Sequence, residues 1–320
     1  MEPKKKLVSI IIPCFNEEES LPKLYEQLDQ VLTTIDDDYE ILFVDDGSQD
    51  DTLSVIKRIY EQDSHVAYIS LSRNFGKESA MLAGIDHIGG NCAIFLDADL
   101  QDPPQLILQM LEHWKQGYHD VYAKREGRGK ENWLRKKLSM LFYSILDRST
   151  RFDILPNVGD YRLLDRKCID ALRQMRETER YTKGMFAWIG FKKKEIVFNR
   201  GDRVDGESKM SLLSLFNLAI EGITSFTTTP LRFASVSGFI IAFFAFGLLL
   251  FYLIKTILYG DPVQGFPTLV TIILFLGGIQ LLCIGILGEY IGIIFNEAKH
   301  RPLYLIEESG ERKIASTKAQ

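Results

Sequence analysis

Two stretches without a formal charge, residues 233–254 and 268–287, constrain this chain more than any other feature of its sequence. At ~1.5 Å of rise per helical residue, runs of about 20 residues cross a ~30 Å hydrocarbon layer. The short segment 255–267 joins them, so they read as a transmembrane hairpin, about 233–254 and 268–288, with both flanks on one side of the membrane. Arg200, Arg203, Lys209, Arg232, Lys299 and Arg301 on those flanks mark that side as cytoplasmic, Lys255 at the far turn being the one contrary charge. A multi-pass protein of the inner (cell) membrane is expected, the alternative being two buried helices of a soluble core.

The rest of the chain is ordinary globular material. Of 320 residues, 46% are apolar and 25% charged, which excludes collagen-like, disordered and disulfide-scaffold classes. A net charge of −5 gives no global footprint for nucleic acid, although basic residues cluster over 124–137, so no nucleic-acid partner is expected. Cys14, Cys92, Cys168 and Cys283 show no CxxC spacing and read as reduced thiols facing the cytosol. Lys4, Lys5 and Lys6 before an apolar run imitate the start of a signal peptide. Pro13 interrupts that run, Glu17, Glu18 and Glu19 follow, and no small-x-small cleavage site appears, so a buried parallel strand is the better reading.

From residue 7 to 124, short apolar runs alternate with amphipathic stretches, the pattern of βα units on a parallel sheet. Strands are predicted over 7–12, 40–44, 66–71, 93–96 and 121–123. Helices are predicted between them, such as 21–32, with Leu21, Leu24, Leu28 and Leu32 at helical spacing, and 52–62. Beyond Lys124 the alternation stops. A basic stretch leads to an amphipathic helix over 133–146, then to an irregular segment with Asn157, Gly159, Asp160 and Arg162, a strand around Ile196 and a basic segment over 200–209. Leu212, Leu215, Phe216, Ala219, Ile220 and Ile223 recur at helical spacing, which suits a helix lying on a bilayer or one in a domain core. The division expected is a cytoplasmic α/β domain over 1–210, a juxtamembrane helix over 211–231, the hairpin over 232–296 and a tail over 297–320.

In open α/β sheets ligands bind outside the carboxyl ends of the strands. Those positions are acidic here: Pro13, Asn16 and Glu17 follow strand one, Asp45, Asp46, Gly47 and Ser48 strand two, and Asp97, Asp99, Gln101 and Asp102 strand four. The carboxylates of Asp97-Ala98-Asp99 can hold a divalent cation and leave positions for phosphate oxygens, whereas helix capping and turn formation are the blander roles of such pairs. Three acidic loops on one sheet edge favour the site. Strand one lacks GxGxxG, which argues against dinucleotide binding. A receiver-type signalling domain would want its acid pair after strand one, not strand two. Arg125 and Arg203 each follow a predicted strand on the ligand side, where the planar fork of Arg suits phosphate, while Lys130, Lys136 and Lys137 read as solvated surface and Arg135 as surface or a lipid-headgroup contact.

A long series of strings carries a further signal. It comprises Pro13 with Asn16-Glu17, Val44-Asp45-Asp46-Gly47-Ser48, Ser72-Arg73-Asn74-Phe75-Gly76-Lys77, Leu96-Asp97-Ala98-Asp99-Leu100-Gln101-Asp102-Pro103-Pro104 and Gly159-Asp160-Tyr161-Arg162. Arg203 with Gly206-Glu207-Ser208-Lys209, Thr227-Thr228-Thr229-Pro230-Leu231-Arg232 and Leu287-Gly288-Glu289-Tyr290-Ile291-Gly292 before Arg301-Pro302 continue it. With these strings the chain, to about residue 305, resembles the inverting glycosyltransferases of family 2 with a GT-A fold, in particular those acting on polyprenyl phosphates. Within them the bactoprenol glucosyltransferase group is nearest and the dolichol-phosphate mannose synthases more distant.

The resemblance implies a GT-A nucleotide-sugar-binding domain with a mostly parallel sheet, and transfer of glucose from UDP-glucose to a polyprenyl (undecaprenyl) phosphate. It implies that Pro13, Asn16, Glu17, Asp45, Asp46, Lys77 and Asp97 surround the donor, and that Asp97, Asp99 and Gln101 organise Mg²⁺ or Mn²⁺ on its diphosphate. Arg203 with Ser208 and Lys209, and Arg125 with Arg128, are implied in binding the diphosphate or the acceptor phosphate. Asp99, Asp160, Arg125 and Arg203 are the implied catalytic residues. Asp160 corresponds to a general base of related transferases, yet a lipid monophosphate is already anionic, so Asp160 orients sugar or nucleophile instead, or pairs structurally with Arg162 or Arg166.

GDP-mannose or a UDP-aminoarabinose-type sugar is the alternative donor, and a non-catalytic membrane-anchored scaffold the alternative class. A processive synthase is disfavoured by the two spans and the lack of QxxRW or TED strings. Gly277, Gly278, Gly285, Gly288 and Gly292 would permit close helix approach, within the hairpin or between subunits of a homo-oligomer.

Overall fold

A computed structural model describes residues 5–125, 158–178, 180–198, 229–259 and 265–312. They fall into two compact units, one built from the stretches up to residue 198 together with residues from Pro302 onward, the other from helices between 229 and 301.

The first unit is organised by β1 (Leu7–Cys14), buried along nearly its whole length because both faces are covered. It pairs in parallel with β2 (Asp38–Asp45) and β4 (Cys92–Phe95), and β2 pairs in parallel with β3 (Val66–Leu71). Between these strands, α1 (Leu21–Leu32) turns Leu21, Leu24, Leu28 and Leu32 into the core, as their spacing dictates, and α2 (Thr52–Gln62) buries Val55, Ile56 and Ile59. Helix α3 (Lys77–His87) lies so close to β1 that Gly84 leaves no room for a side chain against Ile11, an approach only glycine permits. Helix α4 (Leu106–Lys115) follows β4 and leads to β5 (Asp120–Arg125).

The expected strands 7–12, 40–44, 66–71, 93–96 and 121–123, and the strand around Ile196, are present within a residue or two of those bounds at each end. The irregular segment expected around Asp160 is instead a strand, β6 (Val158–Asp165), inserted antiparallel between β4 and β5. Its sequence hides the pattern, since Gly159, Asp160 and Arg162 interrupt the apolar positions. Arg162 is nonetheless 3% exposed, its charge met by Asp120 at 3.3 Å and its guanidinium stacked on Phe186 at 3.9 Å. Helices α5 (Arg166–Gln174) and α6 (Thr182–Trp188) precede β7 (Lys193–Phe198), parallel to β5.

Residues assigned by sequence to a tail form β8 (Ile306–Gly310), antiparallel on the outer edge of β3. The sheet therefore runs β7-β5-β6-β4-β1-β2-β3-β8, with β6 and β8 alone antiparallel to the rest among the described residues.

The second unit consists of α7 (Thr229–Tyr259) and α8 (Phe266–Ala298), of 31 and 33 residues. Among the described residues α8 carries the one stretch, Phe275–Ala298, long and apolar enough to cross a membrane, and the apolar stretch of α7, Ala234–Leu248, is shorter. Phe239 and Leu281 are more than 70% exposed, an arrangement costly in water at roughly 25 cal/mol per Å² of apolar surface. Among the described residues, nothing lies within 4 Å of a side chain built at Gly277, Gly278, Gly285, Gly288 or Gly292. The expected helix over 133–146 and the periodic residues 212–223 of the expected juxtamembrane helix lie outside the described residues.

Candidate functional site

A cavity of about 400 Å³ opens at the carboxyl edge of β1, β2 and β4, lined by Pro13, Glu17, Asp46, Asn74, Gly76, Lys77, Asp97 and Asp99 together with Cys14, Phe15, Ala80 and Ala98. Its floor is made where these parallel strands end, and its walls are the loops that follow them.

The first two loops are sewn together by side chain to backbone hydrogen bonds. Asn16 adopts a left-handed conformation (φ 55°), which its short amide tolerates. Its Oδ1 accepts from the Gln49 N–H at 2.9 Å, and its own N–H donates to Ser48 Oγ at 3.0 Å. The Glu17 N–H donates to Thr52 Oγ1 at 2.7 Å. Asn16 thus spends its carbonyl on building the rim.

Asp45 and Asp46, adjacent in sequence, part company in the structure. Asp45 is 1% exposed and uses both oxygens inside the protein, accepting from Ser70 Oγ at 2.8 Å and from the Ser48 N–H at 3.1 Å. It shapes the turn and does not line the cavity. Asp46 lines the cavity and accepts from the N–H groups of Phe75 and Gly76 at 2.7 and 2.9 Å. The loop from β3 is thereby fixed to the loop from β2. Gly47 permits this crossing, because at φ +67° a Cβ would strike the backbone of Arg73 and Asn74.

Gly76, pinned by Asp46, sits at φ 96° and starts α3 with Lys77 over the cavity. The Lys77 ammonium lies 2.7 Å from Asp97 Oδ1 and 2.8 Å from Asp160 Oδ2, joining the end of β4 to β6. Burial works against the ammonium's charge, but the carboxylates of Asp160 and Asp97 outweigh it and raise its pKa. Burial also works against the Asp160 carboxylate, yet Lys77, Lys183 and Arg162 together hold its pKa below the ordinary value. Asp97 shifts the other way. There burial, with Asp160 and Asp99 adding repulsion, prevails over Lys77. The one ammonium is shared by both carboxylates and opposes the effect of burial at each, prevailing at Asp160 and not at Asp97.

Asp160 therefore pairs with neither Arg162 nor Arg166, the partners considered from sequence. Arg162 meets Asp120, and Arg166 meets Asp170 at 2.9 Å.

The donor set suits a hard cation held jointly with substrate. Among the described residues no three metal-ligating side chains already form a closed site. Asp97 and Asp99 face the cavity with Glu17 beside them, and burial followed by repulsion from Asp99, Asp50 and Asp97 raises the Glu17 pKa despite a hydrogen bond from Ser20. Clustered carboxylates short of positive charge fit Mg²⁺ or Mn²⁺, which usually take one or two carboxylates plus phosphate oxygens. Gln101 is not among the lining residues; its N–H donates to Asp99 Oδ1 at 3.1 Å.

Of the residues expected at the site, Pro13, Glu17, Asp46, Lys77, Asp97 and Asp99 line one cavity, and Asp160 joins it through Lys77. Arg125 ends β5, opposite Phe198 of β7. Arg128, Arg203, Ser208 and Lys209 lie outside the described residues. Sequence reasoning missed Asn74 as a lining residue and Glu78 as a neighbour of Asp160. Asn74 stands within the string that ends at Lys77 and Glu78 directly follows it, which was the available signal.

A mostly parallel sheet with acidic loops gathered at its carboxyl edge defines a GT-A-like α/β glycosyltransferase domain. Residues 9–173 match Glycosyl transferase family 2. The chain is 43% identical to an uncharacterized glycosyltransferase of Synechocystis sp., over 94% of this chain and 95% of that one. It is 42% identical to the putative glycosyltransferase CsbB of Bacillus subtilis, over 96% and 93%. It is also 40% identical to the bactoprenol glucosyl transferase of Shigella phage SfV, over 95% and 99%. The chain belongs to glycosyl transferase family 2.

Proposed function

We propose that this enzyme transfers glucose from UDP-glucose to a polyprenyl phosphate, with undecaprenyl phosphate the expected acceptor, at the cytoplasmic face of the cell membrane. The observation that carries the reading is the Lys77 ammonium between Asp97 and Asp160 over a cavity that also holds Asp99. A relative 40% identical across nearly the whole chain is a bactoprenol glucosyl transferase, which supports the lipid acceptor.

In this reading the donor's nucleoside lies against Pro13, Asn16, Glu17 and Asp46, and its diphosphate against Lys77, Asp97 and Asp99. Asp97 and Asp99, with Gln101 beside them, would hold Mg²⁺ or Mn²⁺, which stabilises the departing diphosphate as a Lewis acid. Lys77 releases Asp97 and turns its charge to the diphosphate while Asp160 keeps it oriented. An acceptor phosphate oxygen forms a bond to the anomeric carbon as the bond to UDP breaks, the electron pair leaving with UDP. One in-line displacement converts an α-linked donor into a β-linked product. The acceptor oxygen is anionic at neutral pH and surrenders no proton, so Asp160 orients and does not abstract.

Arg125 and Arg128 help receive the acceptor phosphate, and Arg203, Ser208 and Lys209 bind the diphosphate or the acceptor phosphate near the membrane. The helices α7 and α8 anchor the enzyme, with the basic flanks at Arg232, Lys299 and Arg301 on the cytoplasmic side. Anchoring raises the effective concentration of an acceptor that stays in the bilayer.

The test is incubation of the purified protein with polyprenyl phosphate and radiolabelled UDP-glucose, GDP-mannose or a UDP-aminoarabinose-type donor, with and without Mg²⁺ or Mn²⁺. Lipid-extractable label from UDP-glucose supports the reading. Label only from another donor overturns the glucose assignment, and donor binding without product from any donor overturns catalysis.

A further inference from the structure

The first turn of α3 carries a second charged residue that the reaction scheme leaves idle. Glu78 follows Lys77, and its Oε2 is buried without a hydrogen-bond partner. Around it stand Lys77 on α3, Asp160 on β6, Arg180 on the approach to α6 and the backbone N–H of Thr182 at the start of α6. Lys183, the next residue of α6, faces Asp160. Asp160 Oδ1, Arg180 Nε and Thr182 Oγ1, on the residues that act on Glu78, are likewise buried with no hydrogen-bond partner among the described residues. Polar groups buried without a hydrogen bond are costly, so their gathering around Glu78 needs an explanation.

We infer that Glu78 is a positioning residue for sugar transfer, tying the first turn of α3 to the start of α6 so that Lys77 stays between Asp97 and Asp160. The inference rests on the transfer reaction proposed above. Burial, reinforced by Asp160, pushes the Glu78 carboxyl up to about 7, against the opposing pull of Lys77, Arg180 and the Thr182 N–H. Below about pH 7 Glu78 is therefore mostly uncharged and leaves Lys77 to the two aspartates. On ionising it competes with them for the same ammonium.

The experiment compares wild type, Glu78→Gln and Glu78→Ala in two assays: glucose transfer across pH 6 to 9, and titration with UDP in the presence of Mn²⁺, which needs no acceptor. Glu78→Gln should keep turnover within about threefold of wild type at pH 6.5 and lose the fall that wild type shows above about pH 7. Glu78→Ala should lose tenfold or more in kcat and bind UDP more weakly. Wild-type UDP affinity in Glu78→Ala, or the wild-type alkaline fall retained in Glu78→Gln, overturns the role of Glu78. Wild type that binds UDP but yields no lipid-linked product overturns the transfer reading instead, and the UDP titration then still decides the role of Glu78.

Discussion

Lys77 and Asp160 meet at 2.8 Å across 83 positions of sequence. The contact exists because β6 enters the sheet beside β4, which brings Asp160 next to the strand that ends before Asp97. One ammonium thereby ties the acidic loop after β4 to the inserted strand.

Replacing Lys77 with Met should leave the sheet intact and remove this tie. A hydrogen bond to a charged group contributes about 1.5–3 kcal/mol, so transfer should fall by roughly 10- to 100-fold. Steady-state kinetics with UDP-glucose checks this, and a variant within twofold of wild type would show that Lys77 does not act on the donor.

Asp97→Asn and Asp99→Asn should each abolish transfer while leaving the far-ultraviolet circular dichroism unchanged. Chelation should silence wild type, and added Mg²⁺ or Mn²⁺ should restore it. Near-normal activity in either variant would remove the metal role from that residue.

Asp45 and Asp46 should separate by assay. Asp45→Ala leaves Ser70 and the Ser48 N–H without their acceptor and should cost roughly 1–3 kcal/mol of stability, with the Michaelis constant for donor little changed. Asp46→Ala should free the loop before Lys77 and raise that constant. Equal effects on donor binding would mean that Asp45 also reaches the nucleotide.

Gly47→Ala forces a Cβ onto the backbone of Arg73 at a positive φ, so the melting temperature should drop, by the equivalent of about 1–3 kcal/mol. Melting curves in detergent read this directly. Unaltered melting would mean that the two loops part without strain.

Stability should also depend on Glu78. Its folded-state pKa, near 7, lies above the ordinary 4.5 of a glutamate. The folded state therefore binds the extra proton, and the associated stability is present below about pH 4.5 and is lost as pH rises to about 7. Glu78→Gln should melt with wild type at about pH 4 and above it at about pH 8, by up to ~3 kcal/mol. Parallel melting at both values would contradict the shift.

The βα alternation was legible because period and burial agree. Strand β1 is apolar throughout and sits mid-sheet, and α1 shows its buried leucines at helical spacing. The three acidic loops were legible because the carboxyl ends of parallel strands share one edge. Strand β6 was not, since Gly159, Asp160 and Arg162 break its pattern and it is held by pairing on both sides. Strand β8 was not, because a short, mostly exposed edge strand carries little hydrophobic signal.

Local periodicity and charge thus set by themselves the open α/β sheet, its acidic edge and the pair of long apolar helices. Which aspartate shares Lys77, which of Asp45 and Asp46 turns inward, and how Glu78 comes to neighbour Asp160 were decided by strand order. That order depends on pairing between segments far apart in the chain, where hydrogen bonds and burial are settled collectively, and no single stretch of sequence encodes it.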